Sequence, residues 1–319
     1  MKNIKVSSYF PGWTRKSLTF TIDDGNIKYD GPFLDILRPY GIKGTFNLCA
    51  PTRAMPEEYR RLYEGYEIAN HCKNHPLCFD EGQAYRVSDE PFNSLTSAEY
   101  TEDDPVVHKT AVEGVYRIHT NPARPRPDAW NNITSCDDYI RFVRETRCEL
   151  EEIFGKGSVK SFVWPYREQT NERLFSLLLK EGYNSIRKTG ALNDSTGFSL
   201  PADRMRWSYN ATCNNLLSLM EQYDKLEDDG ELKFFSFGVH SYDFERAEKW
   251  DDLREFAKLY GNRPEDFWYA SVSEILEYED AVKSLVINDC EIENNSSIKV
   301  YAEINGEKTV IAPHSKFAI

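Results

Sequence analysis

Asp23-Asp24-Gly25 closes a short apolar run, His71-x-x-x-His75 begins 47 residues after Asp24, and a single His240 stands far downstream. Adjacent carboxylates at the end of a strand point in different directions, so one can bind a cation while the other stays free as a base. Two histidines four apart can face one cation from a single helical turn or a tight loop. With one carboxylate they leave coordination positions for water and substrate, as catalytic zinc and related divalent sites require. Each piece also has a plain structural reading. Asp-Asp-Gly is a good loop-capping turn, a histidine pair can sit on a surface, and a lone strand-end histidine can be a satisfied core residue. Cys72 and Cys78 raise a structural zinc knot, against which no second cysteine pair stands at knuckle spacing. The order favours chemistry: an acid pair, a histidine pair and a late histidine, each after an apolar run.

The elements that must position these residues read as alternating strands and helices. Ser17 to Ile22 is a short buried strand running into Asp23. A helix-like stretch over Pro32 to Tyr40 stops at Gly41, and Lys43 to Leu48 is the next strand. Met55 to Tyr63 reads as helix and Tyr66 to Ala69 as a strand before His71. After an irregular stretch, the helical spacing of Tyr139, Phe142, Val143, Thr146, Leu150 and Ile153 predicts a helix over Cys136 to Phe154. Strands are expected at Val159 to Val163, Tyr183 to Ile186 and Phe234 to Val239, the last running into His240. Helices are expected at Asn171 to Glu181, Leu216 to Tyr223, Asp251 to Tyr260 and Val272 to Lys283. This rhythm is that of parallel strands with crossover helices. Active sites of parallel barrels gather at the C-terminal ends of their strands, which is where the three clusters fall.

Two segments depart from the rhythm. Residues 76 to 135 carry six prolines from Pro76 to Pro127 and no long periodic run, so they read as a lid or a small inserted subdomain. Tyr85, Phe92, Tyr100, Tyr116, His119 and Trp130 lie there, able to stack on sugar faces or to form a small core of their own. Residues 284 to 319 read as a small antiparallel appendage with a hairpin turn at Asn305-Gly306. The expected organisation is a barrel over 1–283, interrupted at about 76–135, and the appendage over 284–319.

The bulk numbers narrow the partners. A 319-residue chain with 40% apolar and 13% aromatic residues can build a sizeable core and leave rings for a sugar-like surface. A net charge of −13 repels phosphate backbones and anionic lipid, which argues against nucleic-acid and membrane partners. Seven cysteines, scattered from Cys49 to Cys290, suggest reduced thiols rather than a disulfide framework. The N-terminus lacks the apolar stretch of a signal peptide and no run approaches a membrane span, so a cytoplasmic location is expected.

Taken together, FTIDDG, HCKNHP, FVWPYRE and FGVHSYDF resemble, in this order, the polysaccharide deacetylase family, the NodB-like fourth family of carbohydrate esterases. The resemblance covers roughly residues 17 to 280. It implies an α/β fold, a distorted (β/α)7-type barrel, and a hydrolase removing an acetyl group from an N-acetylated sugar or oligosaccharide with metal-activated water. Carried over by position, Asp24, His71 and His75 would hold a divalent metal, zinc first, with cobalt, nickel or manganese as alternatives. Asp23 would be the base and His240 the acid. Tyr166 would offer its backbone N–H to the oxyanion. Trp207 would wall the acetyl pocket with Asp203 orienting His240, and Trp164 and Arg167 would border the substrate.

Two departures bear on the substrate. Many relatives carry an arginine in the third motif that braces the catalytic aspartate; here Val163 or Trp164 stands there. Arg167, Arg204 or Arg206 is expected to replace it. Cys72 stands where a small hydroxyl residue is usual and is read as a packing neighbour rather than a fourth ligand. An O-acetyl esterase, a non-sugar amide hydrolase on the same fold and a degenerate carbohydrate-binding protein are the alternatives.

Overall fold

The computed structural model describes residues 4–49, 56–89, 105–119, 130–166, 171–188, 198–288 and 290–319. Its centre is the strand Lys16–Asp24, whose residues from Ser17 to Asp23 are all buried. A strand covered on both faces must be apolar or internally hydrogen-bonded along its whole length. Accordingly, Leu18, Phe20 and Ile22 pack while Ser17 donates to the Lys233 carbonyl at 3.0 Å.

Seven strands form one parallel sheet. Ser185–Arg187, Ser161–Val163, Glu67–Asn70, Thr45–Leu48, Lys16–Asp24 and Lys233–His240 follow one another across it, and Phe267–Tyr269 pairs with the start of Lys16–Asp24. The sheet curls into a distorted (β/α) barrel with helices outside. The helix Ile27–Leu37, followed by a 3₁₀ turn ending at Gly41 with φ 68°, returns the chain from the first strand to the second. The helix Cys136–Phe154 has the predicted bounds, because Ser135 caps it by accepting from the Asp138 N–H and its apolar stripe is unbroken. Asn171 caps Glu172–Lys180, and a Ser271–Glu274 capping box opens Val272–Lys283.

Aromatic rings fill the core. Phe20 meets Phe33 and Phe46 edge-on at 5.2 and 5.4 Å, and Phe237 and Phe244 extend the cluster towards the strand that ends in His240. Much of the aromatic content anticipated for a sugar surface is spent here.

Between the barrel strands, Pro76–Cys78, Arg86–Ser88, Val106–Lys109, Tyr116–His119 and Trp130–Thr134 form a separate five-stranded sheet. Tyr85 and Tyr116 lie against Phe79 at 4.6 and 5.7 Å, over Val107, Ile118 and Ile133, so these two rings serve the segment's own core. Phe92 and Tyr100 lie outside the described residues. Near the C-terminus, Val300–Ile304 and Glu307–Ile311 form the hairpin expected at Asn305-Gly306, and Val6–Tyr9 adds to it antiparallel. Val6–Tyr9 therefore joins the sheet of this C-terminal hairpin, a pairing no local pattern announces. Among the described residues, no helix is long and apolar enough to cross a membrane.

Gly238, two residues before His240, is needed for space. A Cβ there would land on the ring of Tyr209. Gly238→Ala is therefore expected to cost about 1–3 kcal/mol through overpacking. An unchanged urea midpoint for that variant would show that Tyr209 gives way freely.

Candidate active site

Asp23 and Asp24 end the first barrel strand, and the sheet places other polar residues at the same level. In register, Asp23 faces His240 on one neighbouring strand and Asn47 on the other, while Asp24 pairs with Leu48 and Leu48 with Asn70, immediately before His71. The chain turns sharply at each of these ends. Asp24, Cys72, Asn74, His75 and Tyr166 all have left-handed backbone, with φ of 75°, 56°, 64°, 44° and 60°. Such conformations cost energy in non-glycine residues and concentrate at functional sites, where the surrounding structure holds them. His71 and His75 thus converge from a tight loop, not from a helical turn.

The two oxygens of Asp24 have separate partners. Oδ1 lies 3.5 Å from His71 Nε2 and 3.6 Å from His75 Nε2, while Oδ2 accepts from the Tyr242 hydroxyl at 2.8 Å. The Nδ1 of His71, almost fully buried, meets the Val163 carbonyl at 2.9 Å. A carbonyl can only accept, so Nδ1 carries the proton and Nε2 presents a lone pair. Burial, then the neighbouring His71, pushes His75 down to about 4. That shift favours His75 as a neutral imidazole able to donate a lone pair. Two imidazole nitrogens and one carboxylate oxygen, spaced to share an ion and braced from behind, fit a divalent cation.

Asp23 is buried and held from two sides. Arg187 Nη2 and Asn47 Nδ2 both donate to its Oδ1, the latter at 2.7 Å, which leaves Oδ2 for a proton. Burial alone would raise this carboxyl, but the Arg187 charge prevails and holds it below its ordinary value near 3.8. On the adjacent strand, His240 Nδ1 donates to Asp243 Oδ2 at 2.8 Å, and Nε2 points towards Asp24, 3.7 Å from Oδ2. Burial works against protonated His240, yet Asp243, Asp23 and Asp24 raise its pKa. Tyr242 stacks on His240 with ring centroids 4.6 Å apart, and the Arg246 guanidinium lies over the Tyr242 ring at 4.3 Å.

These groups line a cavity of about 650 Å³, whose wall also includes Tyr166, Tyr209, Thr212 and Asn214. The structure brings together Asp23, Asp24, His71, His75, Tyr166 and His240. Of the other expected residues, those among the described ones lie elsewhere. Trp164 is buried against Tyr139 and Phe162, and Trp207 packs on Phe234 inside a second core cluster, so neither indole lines the cavity. Both follow strand-level backbone pairing with Arg187 that turns them into the core. Asp203 is exposed and accepts from the Met205 N–H, and the carboxylate on His240 is Asp243 instead. Arg167 lies outside the described residues. Arg204 pairs with Asp280, and Arg206 lies over Phe175 with Glu172 at 3.6 Å, so neither braces Asp23.

The brace is Arg187, fully buried at the end of the strand Ser185–Arg187. A polar residue closing a predicted strand was the one available signal, the same signal that marked Asp23 and His240. Asp243 was detectable only as an acid three residues after His240. Tyr209, Thr212 and Asn214 come from an irregular segment without any such mark.

A family model for polysaccharide deacetylase matches residues 12–186, and the chain belongs to the polysaccharide deacetylase family. Similar solved structures include a family-4 esterase domain of a multidomain xylanase from the hindgut metagenome of Trinervitermes trinervoides. It is 16% identical, with a TM-score of 0.45 over 84% of this chain and 92% of that one. Peptidoglycan deacetylase PdaC from Bacillus subtilis is also 16% identical, with a TM-score of 0.44 over 84% and 95%. The chitin deacetylase from Colletotrichum lindemuthianum is 15% identical, with a TM-score of 0.44 over 84% and 88%.

Removing Arg187 would leave a buried carboxylate unpaired. Arg187→Met is expected to destabilise the fold by roughly 3–5 kcal/mol at neutral pH in urea unfolding. Because Asp23 is held below its ordinary value, the pair's contribution is complete above the ordinary carboxylate range and is lost as pH falls through the lowered value. The gap between parent and variant should therefore narrow in acid; a gap independent of pH would mean that Arg187 acts by packing alone. Tyr242→Phe removes the hydrogen bond to Asp24 and should weaken binding of zinc by about 10–100-fold in equilibrium dialysis.

Proposed function

We propose that the chain is a metal-dependent hydrolase that removes the acetyl group from an N-acetylated sugar or short oligosaccharide. The observation that carries this reading is the contrast between Asp23 and His240. Environments that push two titratable groups apart mark a base and an acid. Here Asp23 is pushed below and His240 above its ordinary value, on neighbouring strands beside the Asp24, His71 and His75 donors. Membership of the polysaccharide deacetylase family supports the same chemistry.

Asp24 Oδ1, His71 Nε2 and His75 Nε2 would hold one divalent cation, zinc by preference for this nitrogen-rich set. Bound there, it would supply the charge that acidifies water and polarises a carbonyl. Asp23 accepts the proton of the attacking water on Oδ2, since Oδ1 is occupied by Arg187 and Asn47. Arg187 lowers the basicity of Asp23 and favours its ionised form. Tyr166, on the cavity wall beside His75 with ring centroids 4.3 Å apart, would offer its backbone N–H to the developing oxyanion. His240 Nε2 delivers its proton to the leaving nitrogen, and Asp243 fixes the ring by its bond to Nδ1. Tyr209, Thr212 and Asn214 would contact the sugar.

The test is acetate release from chitooligosaccharides by protein stripped with a chelator and resupplied with zinc or cobalt. Acetylxylan and small cyclic amides run alongside distinguish the other scissile bonds. Asp23→Asn and His240→Ala should each lower kcat/KM by about 10²–10⁴-fold. Absence of acetate from every N-acetyl sugar would refute the assignment. Asp243 raises the pKa of His240, so Asp243→Asn should move the alkaline limb of the kcat/KM profile to lower pH. A limb that stays in place would assign it to another group.

A further inference from the structure

We propose that Cys49 is a fourth protein ligand of the cation held by Asp24, His71 and His75, giving a centre of one sulfur, two nitrogens and one oxygen. This rests on the reading of that cluster as a metal centre. The topology supplies the first argument. Leu48 pairs with Asp24 on one side and with Asn70 on the other, so Cys49 and His71 each follow the paired end of a neighbouring strand. Three potential ligands therefore emerge side by side from three adjacent strands, with His75 folding back from the loop.

The distances supply the second. Cys49 Sγ lies 3.9 Å from Asp24 Oδ1 and 3.5 Å from the His71 carbonyl, and the ligand atoms of the four residues all lie within 4.8 Å of one another. Tetrahedral bonds of about 2.0 Å to oxygen and nitrogen and about 2.3 Å to sulfur put neighbouring ligand atoms roughly 3.3–3.6 Å apart. The spacings from Asp24 Oδ1, 3.5 and 3.6 Å to the imidazole nitrogens and 3.9 Å to sulfur, lie close to these values. Two imidazole nitrogens and a thiol sulfur converge on one carboxylate oxygen.

The third argument is the open side. Asp24, His71 and His75 line the cavity and Cys49 does not, so sulfur would approach from the strand ends behind the ion. Water and substrate would then enter from the cavity side as a fifth ligand, an expansion that catalytic zinc sites can undergo. On coordination Cys49 loses its thiol proton to solvent and binds as thiolate. Together with Asp24 it offsets both charges of the cation. A thiolate also makes the site soft, favouring zinc or cobalt over manganese or magnesium. Cys72, the cysteine adjacent to His71, is instead fully buried in the core.

X-ray absorption on the full chain loaded with one zinc should show a single sulfur scatterer at about 2.3 Å beside nitrogen and oxygen at about 2.0–2.1 Å. The cobalt form should show a sulfur-to-cobalt charge-transfer band in the near ultraviolet. Cys49→Ser should lose both signatures and bind zinc roughly 10-fold or more weakly, whereas Cys290→Ser, at an exposed thiol, should keep them. A stoichiometric zinc centre with nitrogen and oxygen alone in the parent overturns the role of Cys49 and leaves the metal centre standing. Failure of the parent to bind any zinc or cobalt stoichiometrically overturns both. The parent spectrum decides the matter even if Cys49→Ser does not fold.

Discussion

The pairing of Arg187 with Asp23 is the constraint around which the site is built. Asp23 closes a strand that is covered on both faces, and a lone carboxylate in that position would take up a proton instead of remaining charged. A fully buried guanidinium at the end of another strand of the same sheet makes the ionised form the stable one. The pair lies across the barrel, separated by more than 160 residues of chain, so it ties the first strand to a late one. It also sets which oxygen of Asp23 is available, because Arg187 and Asn47 converge on the same one.

Asp24, one residue on, is handled differently. A left-handed backbone turns it away from Asp23, and its two oxygens are divided between the imidazole donors and the Tyr242 hydroxyl. Two adjacent acids thus do unlike jobs because one remains in the strand and the other begins the turn. Tyr242 links the halves of the site: it donates to Asp24 and stacks on His240, whose other nitrogen is bound by Asp243 three residues away. The short helix Ser241–Arg246 that carries these residues starts directly from the strand end, so strand register and His240 orientation are one variable.

Buried polar groups tie this region to the body of the barrel. Asp30, on the helix that follows Gly25, accepts from Ser241 and from the Tyr63 hydroxyl. Burial raises it to about 7, while the two hydroxyl donors partly offset that rise. The residue after His240 is therefore hydrogen-bonded to the helix launched by the aspartate pair. The segment inserted after His75 reaches the same region through Asn132, whose amide donates to the Asn74 carbonyl in the histidine loop.

The sequence by itself determined the alternation of strands and helices, the bounds of Cys136–Phe154 and Val272–Lys283, and the strand ends at which Asp23, Asp24 and His240 stand. These follow from apolar period and capping chemistry, which act over a few residues. It also singled out His71 and His75, because their spacing is local. Only the tertiary structure decided that Arg187, and not Arg204 or Arg206, pairs with Asp23, and that Trp164 and Trp207 turn inward. The same holds for Val6–Tyr9 joining a sheet near the other end of the chain, and for Cys49 beside Asp24 and His71. Each of those outcomes depends on which strands become neighbours and at what register, and a shift of one residue reverses the face a side chain presents. Local pattern carries no record of that choice, since it is settled by packing between segments far apart in the chain.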